Sequence, residues 1–378
     1  GGVFLLPDDF KFEVDRDDVI VYRMPVKQLV MESGVPSSLK EYIANMVYVG
    51  VLCFLLGIDL ELIHQSLCHQ FNEREKPVEQ NYKMVQAAFA WAKENLVKKD
   101  PYFAQSMDGT KDCILVDGNT TAALGAVFGG VQFAAWYPIT PATSLAESLM
   151  EYLPQYRVDP ENGKDTFAIV QAEDELAAIG MAIGAGWGGL RSMTSTSGPG
   201  LSLMSEYIGL AYYAEVPVVI WDVQRVGPST GMPTRTAQGD LAMANFISHG
   251  DKNMIILIPG SIDECFEFGW RAFDIAERLQ TPVIVLSDLD FGMNMWTSKK
   301  FKYPDAPMDR GKVLWEADME KFLETHGGEW GRYRDVDGDG IPWRTLPGNT
   351  HPRSAYFARG TSHNEDTGYT EDPEKWET

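Results

Sequence analysis

Cysteine is scarce in this sequence: its 378 residues include four, at positions 53, 68, 113 and 265. They lie far apart and no two form a C-x-x-C pair, so neither a local iron–sulfur or zinc site nor a disulfide framework is indicated. His64 and Cys68 have helical spacing, but no further ligand cluster follows them. Core or surface histidines are the simpler interpretation, and we predict no metal site in this chain.

Basic residues are also few, since 32 Lys and Arg stand against 54 Asp and Glu, a net charge of −22. Nucleic acid is therefore not expected as a partner, because binding phosphates needs clustered Lys and Arg. The apolar run at residues 47–58 is too short to span a bilayer, so no membrane partner is expected. No signal peptide is visible and the chain begins Gly-Gly-Val, as a fragment would. We predict a soluble cytoplasmic protein.

From residue 113 to about 291 the sequence alternates between strand-like and helix-like segments. The strand candidates are residues 113–116, 131–136, 167–170, 192–196, 216–223, 254–258 and 283–287. The helix candidates are residues 120–128, 142–152, 174–186, 201–214, 238–246 and 262–279. Strands that are continuous apolar runs separated by helices predict an α/β fold with a parallel sheet covered on both faces.

The flanking segments differ from this middle region. Residues 1–110 contain a predicted strand, three helical segments and a polar, turn-rich linker at 98–111. The strand is residues 19–24 and the helices are 39–56, with Ser37 or Ser38 as cap, 59–71 and 81–97. Beyond residue 296 the periodicity weakens, one helix is expected at 318–326, and the acidic tail at 363–378 is too polar to complete a domain. We predict three regions: 1–110, 111–297 and 298–378.

The segment WYPITPAT, residues 136–143, follows one of the predicted buried strands. Its two prolines bracket Ile139 and Thr140, and each fixes its own φ and moves the preceding residue out of the α region. We expect a stiff corner with Thr140 at its tip, at the sheet edge where ligands bind in open parallel sheets. The alternative is a tight turn in which Thr140 only caps the next helix.

Three acidic residues, Glu173, Asp174 and Glu175, stand together where another predicted helix begins. Negative charge is favourable at that end of a helix, so they could simply cap it. A functional role requires one of these carboxyl groups to project into a cleft.

Two further loops follow predicted strands. TSTSGPG, residues 194–200, is rich in hydroxyl groups and glycine and could hold an anion or a polar ring edge. DVQRVGPSTG, residues 222–231, carries Arg225, which could grip a carboxylate with two hydrogen bonds. The alternative for Arg225 is an ion pair with Asp222 or Asp240. The functional interpretation is favoured because Thr140 is expected at the same sheet edge.

The acidic stretch DVDGDG, residues 335–340, is similar to the start of a calcium-binding loop. Its twelfth position would be Leu346 instead of the bidentate glutamate, so the pattern fails where it matters. Gly-Asp-Gly also begins the diphosphate-metal motif of thiamine diphosphate enzymes, but no apolar strand precedes it and no asparagine pair follows. We interpret it as an exposed turn.

Taken in order, GNTTAALGAVFGG, YPITPAT, QAEDELAAIGMAIGA, TSTSGPG and DVQRVGPSTG resemble one protein family. The family is the alpha subunits of the 2-oxoacid:ferredoxin oxidoreductases, and the 2-oxoglutarate type is the most similar. The resemblance extends over about residues 113–295. The first hundred residues resemble the end of the gamma-type domain that many of these enzymes fuse ahead of the alpha domain.

The resemblance implies that residues 113–295 are a pyrimidine-binding domain for thiamine diphosphate. In the family, a glutamate five residues before a G-x-x-x-G-A helix motif contacts N1′ of the aminopyrimidine. Gly180 begins such a motif here, which assigns this catalytic and cofactor-binding role to Glu175, with Glu173 as the alternative. The carboxyl group would favour the imino tautomer that removes the C2 proton. The remaining implied residues are Thr140 and Arg225 for the substrate's 1-carboxylate, and Tyr137, Pro138 and Ile139 for the cofactor.

The resemblance also implies partners, because this chain has no credible diphosphate-magnesium motif and no cysteine cluster. A beta subunit would hold the diphosphate, Mg²⁺ and a [4Fe–4S] cluster, in a dimer of heterodimers. Coenzyme A would accept the acyl group and ferredoxin the electrons, and this chain alone would be inactive. The open alternatives are pyruvate or a branched-chain 2-oxoacid as substrate, a non-oxidative thiamine diphosphate enzyme, and a non-catalytic α/β scaffold. Candidates for binding a second substrate carboxylate are Arg235, Arg344 and Arg353.

Overall fold

In a computed structural model, the chain forms two compact units, residues 1–109 and 110–378. The structure describes residues 2–13 and 15–376, without the side chain of residue 376. The first unit contains two strands, a short 3₁₀ turn at Ser37–Leu39 and four helices. These are β1 (Gly2–Pro7), β2 (Val19–Met24), α1 (Val26–Glu32), α2 (Lys40–Leu56), α3 (Leu60–Gln70) and α4 (Glu75–Asn95).

The two strands of the first unit pair in parallel, and apolar residues of β2 pack with those of α1, α2 and α4 in one core. The prediction of β2 is confirmed at both ends, whereas β1 was not predicted. Helix α4 begins earlier than expected and includes Pro77 in its first turn, where a missing N–H costs nothing. Helix α2 has Leu39 at its N-cap position and no side-chain cap, so the predicted cap by Ser37 or Ser38 is wrong.

The helical segment Ser37–Leu56 is the one segment of the described residues that is long and apolar enough, by length and composition alone, to cross a membrane. The predicted apolar run at 47–58 forms only its second half. Val47 and Val51 are fully buried in the core of the first unit, whereas Tyr42 is exposed. Core helices of globular proteins meet the same criterion, so the absence of a membrane partner stays a prediction.

The start of the predicted linker at 98–111 is fixed to the first unit. The Tyr22 hydroxyl donates to Asp100 Oδ2 at 2.7 Å, and Lys98 Nζ lies 2.8 Å from Asp100 Oδ1. Asp100 is buried. This part of the segment therefore belongs to the packed unit. Asp100 can be buried there because Tyr22 and Lys98 bind its carboxylate.

The second unit is built on a six-stranded parallel sheet with the strand order β5-β4-β6-β7-β9-β8. Helices connect most of the strands. The elements are β3 (Cys113–Val116), α5 (Gly118–Phe128), β4 (Phe133–Trp136), α6 (Thr143–Tyr156), β5 (Ala168–Gln171), α7 (Glu175–Trp187), β6 (Ser192–Thr196), α8 (Gly198–Leu203), α9 (Ser205–Tyr213), β7 (Val218–Gln224), α10 (Leu241–Asn245), β8 (Ile255–Leu257), α11 (Ile262–Leu279), β9 (Pro282–Asp288), α12 (Leu289–Met293), β10 (Trp296–Lys299), α13 (Glu316–Thr325) and α14 (Pro373–Trp376).

Both faces of this sheet are covered by helices. Trp221 of β7 points into a core with α5, α6 and α11, whereas Ile220 points into a second core with α7, α8 and α9. Alternate residues of a strand face opposite sides, so a strand buried on both sides must be apolar throughout. The predicted parallel sheet with two covered faces is confirmed.

Strand β3 is an exception. It was predicted among the strands of the parallel sheet, but it pairs antiparallel with β10 in a separate two-stranded sheet. Its Leu115 is exposed, whereas the inner strands of the main sheet are buried on both faces. A four-residue apolar run does not specify its pairing partner, which explains the error. The single helix predicted at 201–214 is instead two helices, α8 and α9.

Residues beyond β10 contain little regular structure and are held by side chains. Arg332 Nη1 lies 2.8 Å from Glu215 Oε2, and Arg310 Nη2 donates to the carbonyl of Gly189 at 2.6 Å. The stretch DVDGDG is an exposed turn, as predicted, in which Asp335 accepts backbone N–H groups from residues 338 and 340. Whether residues 298–378 begin a third domain stays a prediction.

Candidate active site

The loops that carry the predicted site residues lie at one edge of the sheet. They follow β5, β4, β6 and β7, which are neighbours in the sheet and run in parallel. From β4 the chain continues to β5 on one side, then crosses to β6 on the other. The edge between β4 and β6 is therefore a topological switch point, where parallel α/β sheets bind ligands. We call the space between the loops after these two strands the crevice.

The corner after β4 is closed by Thr143. The Ile139 N–H donates to Thr143 Oγ1 at 2.9 Å, and α6 begins at Thr143 after Ala142, which offers no side-chain cap. The alternative in which Thr140 caps this helix is wrong. Thr140 is half-buried, and its hydroxyl has no hydrogen-bond partner among the described residues.

Two buried side chains hold the backbone of this corner through two adjacent carbonyl groups. Arg225 Nη1 donates to the carbonyl of Thr140, and Asn119 Nδ2 donates to the carbonyl of Pro141 at 2.9 Å. Asn119 also donates to Ser144 Oγ at 2.8 Å. The structure thus brings Arg225 and Thr140 together. It adds Asn119, which lies in the GNTT segment but was not singled out from the sequence.

The guanidinium group of Arg225 is buried without a carboxylate partner. Its Nη2 donates to the carbonyl of Thr230 at 3.2 Å, and its Nε is buried with no partner in the described part of the chain. No ion pair joins it to Asp222 or Asp240 among those residues, so the ion-pair alternative is wrong. A buried charge needs compensation, and an anion entering the crevice would supply it.

The three acidic residues before α7 have separate roles. Asp174 is the helix cap, since its carboxylate accepts the N–H of Ala177 at 2.7 Å. Glu173 is exposed, whereas Glu175 is half-buried. A Cβ atom placed on Gly200 would lie 2.9 Å from Glu175 Cγ and would collide with the hydroxyl of Thr196. Glu175 therefore leans across the loop after β6, and no hydrogen bond or ion pair to its carboxylate is present in the described residues.

Strand β6 and the loop after it contain polar atoms without partners. The hydroxyl oxygens of Thr194 and Ser197 are buried and have no hydrogen-bond partner among the described residues. Buried hydroxyl groups are normally satisfied, so unpaired ones beside a crevice indicate a ligand with polar edges. Tyr137 and Pro138 are exposed in the loop after β4, and Ile139 packs against the core.

The three arginines considered for a second substrate carboxylate are bound in different places. Arg344 is buried and lies 3.4 Å from Glu277, and burial lowers its pKa to about 10. Arg353 donates to the carbonyl of Gly328 at 2.8 Å. Arg235 is exposed in the loop that begins with Arg225. Arg344 and Arg353 are thus engaged elsewhere, and Arg235 stays the candidate.

Potential metal ligands do not cluster in the described residues: no group of three or more His, Cys, Asp or Glu side chains could hold an ion. In the first unit, His64 Nδ1 lies 3.9 Å from Cys68 Sγ, and its ring packs edge-on against Tyr82.

A family model described as "Pyruvate flavodoxin/ferredoxin oxidoreductase, thiamine diP-bdg" matches residues 124–316, just over half of the chain. This chain belongs to the pyruvate flavodoxin/ferredoxin oxidoreductase family. A second model of the same enzymes, "Pyruvate ferredoxin/flavodoxin oxidoreductase", matches residues 1–91. The α/β unit described above is accordingly the thiamine diphosphate-binding domain of this family.

Individual members of the family agree with this assignment. The alpha subunit of 2-oxoacid:ferredoxin oxidoreductase 1 from Sulfurisphaera tokodaii is 35% identical over 92% of this chain and 53% of its own length. The 2-oxoglutarate synthase subunit KorA from Methanothermobacter marburgensis is 50% identical over 46% of this chain and 44% of its own. The chain spans about half the length of the curated relatives that it matches over most of its residues.

A solved structure is similar to nearly the whole chain. It is 2-oxoglutarate:ferredoxin oxidoreductase from Magnetococcus marinus with 2-oxoglutarate, coenzyme A and succinyl-CoA bound. The TM-score is 0.82 at 33% sequence identity, over 98% of this chain and 60% of that one. The fold predicted from the sequence is therefore confirmed, and the resemblance to the alpha subunits of this family is correct.

Proposed function

We propose that this chain is the alpha subunit of an enzyme that decarboxylates 2-oxoglutarate oxidatively, forming its acyl-CoA and reducing ferredoxin. The observations that support the proposal are the hydrogen bond from Arg225 to the Thr140 carbonyl and the position of Glu175 beside Gly200, in segments that follow neighbouring strands at one edge of the sheet. The names of the similar proteins support the reaction class, and the Magnetococcus marinus structure with 2-oxoglutarate bound supports the substrate.

The residues of the crevice fit an aminopyrimidine ring. Such a ring presents nitrogen atoms at its edge, and the segments after β5 and β6 carry the unpaired carboxylate of Glu175 and the unpaired hydroxyl of Ser197. Gly200 leaves open the space between Glu175 and Thr196, which a Cβ atom would fill. Thiamine diphosphate, when bound, supplies an electron sink for decarboxylation of a 2-oxoacid.

In this proposal Glu175 holds a proton at N1′ of the pyrimidine and thereby selects the imino tautomer. The contact matters because a carboxyl group positioned to exchange a proton contributes about 10²–10⁴-fold to the rate of a reaction. Tyr137, Pro138 and Ile139 would line the ring. Glu173 is the weaker candidate because it is exposed and lacks the contact across Gly200.

The substrate's 1-carboxylate is assigned to the hydroxyl of Thr140 and the guanidinium of Arg225. The support is the absence of other partners: the hydroxyl is unbonded and the guanidinium has no carboxylate in the described residues. Hydrogen bonds between a guanidinium and a carboxylate are among the strongest in proteins because both groups are charged. Pyruvate is the second candidate substrate, since the matched family model is named for it.

The proposed enzyme requires a partner subunit. The described residues contain no group of side chains that could hold a metal ion, so Mg²⁺ and the diphosphate are assigned to a beta subunit, together with a [4Fe–4S] cluster. Coenzyme A and ferredoxin are the proposed acceptors of the acyl group and the electrons. We further propose a cytoplasmic dimer of heterodimers, which the description of relatives as alpha subunits supports in part.

The test is activity of the full-length protein co-expressed with its beta-type partner. Reduction of a low-potential dye is measured with 2-oxoglutarate and coenzyme A for the wild type, Glu175→Gln and the matched control Glu173→Gln. We expect Glu175→Gln to lose about 10²–10⁴-fold in kcat, and Glu173→Gln to stay near wild type. Full activity of Glu175→Gln would contradict the assignment. Activity with pyruvate or a branched-chain 2-oxoacid alone would overturn only the substrate, and activity without the partner would contradict the shared site.

A further inference from the structure

Two aspartates next to the crevice face each other, and no hydrogen-bond donor of the described residues lies between them. Asp222 lies near the end of β7 and is completely buried. It is paired in the sheet with Thr196, two residues before the Gly198 on which the Asp240 carboxyl group rests, and each aspartate affects the pKa of the other. No N–H or O–H donor of the described residues reaches either oxygen of Asp222 or Oδ2 of Asp240. Two carboxylates are both acceptors, so a contact between them is a hydrogen bond only if one group keeps its proton.

Asp240 is also the point where a long loop returns to the sheet. Its N–H donates to Gln224 Oε1 at 3.0 Å, and Gln224 Nε2 donates to the carbonyl of Ser287 at 3.1 Å. Its carboxyl group rests on Gly198, where a Cβ atom would lie 2.7 Å from both carboxyl oxygens. Asp240 therefore joins the end of this loop to the loop after β6, which carries Ser197.

The same loop begins at Arg225, immediately after β7. Within it, the Val226 N–H donates to the carbonyl of Arg235 at 2.9 Å, which brings its two halves together. Asp222 and Asp240 close the loop at its base, one on the strand before Arg225 and the other at the far end. A change in their contact would therefore displace Arg225 relative to the corner at Thr140.

We propose that Asp222 and Asp240 share one proton, and that this shared proton positions the loop of residues 225–240 so that Arg225 reaches the substrate carboxylate. Both are positioning residues in this proposal, which rests on the function proposed above only for the role of Arg225. The proton acts by supplying the missing donor between two buried acceptors. Without it, two negative charges would face each other in a buried site.

The electrostatic surroundings favour a retained proton. Burial raises the pKa of Asp222 well above its usual range, and the neighbouring Asp240 raises it further. Burial also raises the pKa of Asp240, against the opposing effects of its hydrogen bond with Asp222 and of the Arg225 charge. The other charged groups near the pair are Glu175 across Gly200, Asp288 through Gln238 and Asp290 through Thr236. Arg225 is thus one cation among several acidic groups, which favours a retained proton on the pair.

The sign of the pH dependence follows from the raised pKa. The folded protein holds the proton more tightly than the unfolded chain, whose aspartates titrate near about 3.9. The contribution of the pair to stability is therefore greatest at low pH and is lost as the pH rises toward the folded pKa. Asparagine at position 222 or 240 supplies an N–H donor that does not titrate, so it removes this loss.

The experiment uses the full-length protein in complex with its partner subunit, as wild type, Asp222→Asn, Asp240→Asn and Asp240→Leu. Proteolytic cleavage within residues 225–240 and the urea midpoint are followed from about pH 5 to about pH 9, where an ordinary aspartate is already ionised. We expect cleavage of the wild type to rise and its midpoint to fall with pH. In both asparagine variants, cleavage and the urea midpoint should not change with pH. Asp240→Leu should be cleaved readily at all pH values.

Two further measurements distinguish an effect on the position of Arg225 from a general effect on the stability of the fold. The infrared band of a protonated carboxyl group should be present in the wild type and absent in both asparagine variants. Asp240→Leu should raise KM for the 2-oxoacid about tenfold, the equivalent of one lost hydrogen bond, and change kcat less. The same pH dependence in Asp240→Asn and wild type, or no carboxyl band in the wild type, would overturn the proposal. A complex that binds no 2-oxoacid would contradict the proposed function, while proteolysis and the infrared band would still decide the shared proton.

Discussion

Two buried arginines stand at opposite ends of the main sheet, and their surroundings differ. Arg191 immediately precedes β6 and is 2% exposed; it donates to Glu277 at 2.8 Å, to Asp274 at 2.6 Å and to two backbone carbonyls. Arg225 follows β7 and is 7% exposed, but it donates only to backbone carbonyls and leaves Nε unpaired. One guanidinium is hydrogen-bonded to carboxylates, whereas the other has no carboxylate hydrogen-bonded to it among the described residues and interacts with Asp240 only through its charge.

This difference separates a structural charge from a functional one. A buried cation is stable when carboxylates compensate it, as they do around Arg191. The same group without a carboxylate is costly to bury, and a fold retains it where a ligand supplies the missing charge. The comparison therefore yields opposite expectations: Arg191 should matter for stability, and Arg225 for binding a carboxylate.

Replacing Arg191 should have the largest effect on stability. Arg191→Met leaves Glu277 and Asp274 with one cation fewer in a buried site, and breaking a buried pair in this way costs about 3–5 kcal/mol. The free energy of unfolding from urea titration measures this loss. Arg271→Met is the matched control, because Arg271 pairs with Glu267 on the exposed surface of α11, the helix that also carries Asp274 and Glu277. Equal effects of the two variants would remove the distinction between buried and exposed pairs.

Replacing Arg225 should affect substrate more than stability. Arg225→Met should raise KM for pyruvate as well as for 2-oxoglutarate, because the 1-carboxylate is common to both; losing a buried charged contact costs about 2–3 kcal/mol at the lower end of such cases. Steady-state kinetics with both substrates measure it. Arg235→Met, in the same loop, should leave KM for pyruvate unchanged. A large loss of stability without a change in KM would place Arg225 in the same class as Arg191.

Replacing Asn119 tests the support of the corner at Thr140. Asn119→Leu has a similar volume but removes the donors to the Pro141 carbonyl and to Ser144. A buried carbonyl that loses its donor costs about 1–3 kcal/mol, and we expect the lower half of that range in stability. Asn95→Ala, which removes an exposed bond to the Trp91 carbonyl, is the control. Unfolding curves that coincide for Asn119→Leu and wild type would show that the corner does not need this support.

The sequence predicted the sheet better than it predicted side-chain partners. Strands such as Val218–Gln224 are continuous apolar runs because both faces are covered, and that pattern is local. The four-residue run of β3 has the same composition, but its pairing with β10 depends on a segment far along the chain. Sequence spacing carries no information about such a contact, so the error could not have been avoided from the sequence.

The candidate site shows the same division. Thr140 and Arg225 could be proposed because each follows a predicted strand, and parallel strands end at one edge, whereas Glu175 was proposed from the resemblance to the family. The partners that hold them could not: Asn119 reaches Pro141 from the start of α5, and Asp240 meets Asp222 after a loop of irregular backbone. The sequence also left open an ion pair of Arg225 with Asp222 or Asp240. The structure excludes this pair, because neither aspartate is hydrogen-bonded to Arg225 among the described residues.

Lys312 extends the comparison to a compensated cation that is partly exposed, where the smallest effect is expected. Its Nζ lies 2.7 Å from Asp337, 2.6 Å from Asp339 and 2.8 Å from the carbonyl of Ile341, where the calcium-like pattern of DVDGDG would hold a cation. Burial alone would lower the pKa of Lys312, but the hydrogen bonds with both aspartates outweigh it and raise the pKa. Because the aspartates are exposed, Lys312→Met should cost no more than about 1 kcal/mol.

Thermal unfolding with and without Ca²⁺ measures the contribution of Lys312 and of any ion. Calcium should not stabilise the wild type, because the ammonium group already occupies the space between the carboxylates and position twelve of the pattern is Leu346. Lys321→Met on α13 is the control, since that lysine is exposed and makes no ion pair among the described residues. Stabilisation of the wild type by Ca²⁺ would mean that the ion displaces the lysine. This exposed site would then resemble Arg225, which is proposed to bind a ligand, more than Arg191, which is bound by carboxylates of the chain itself.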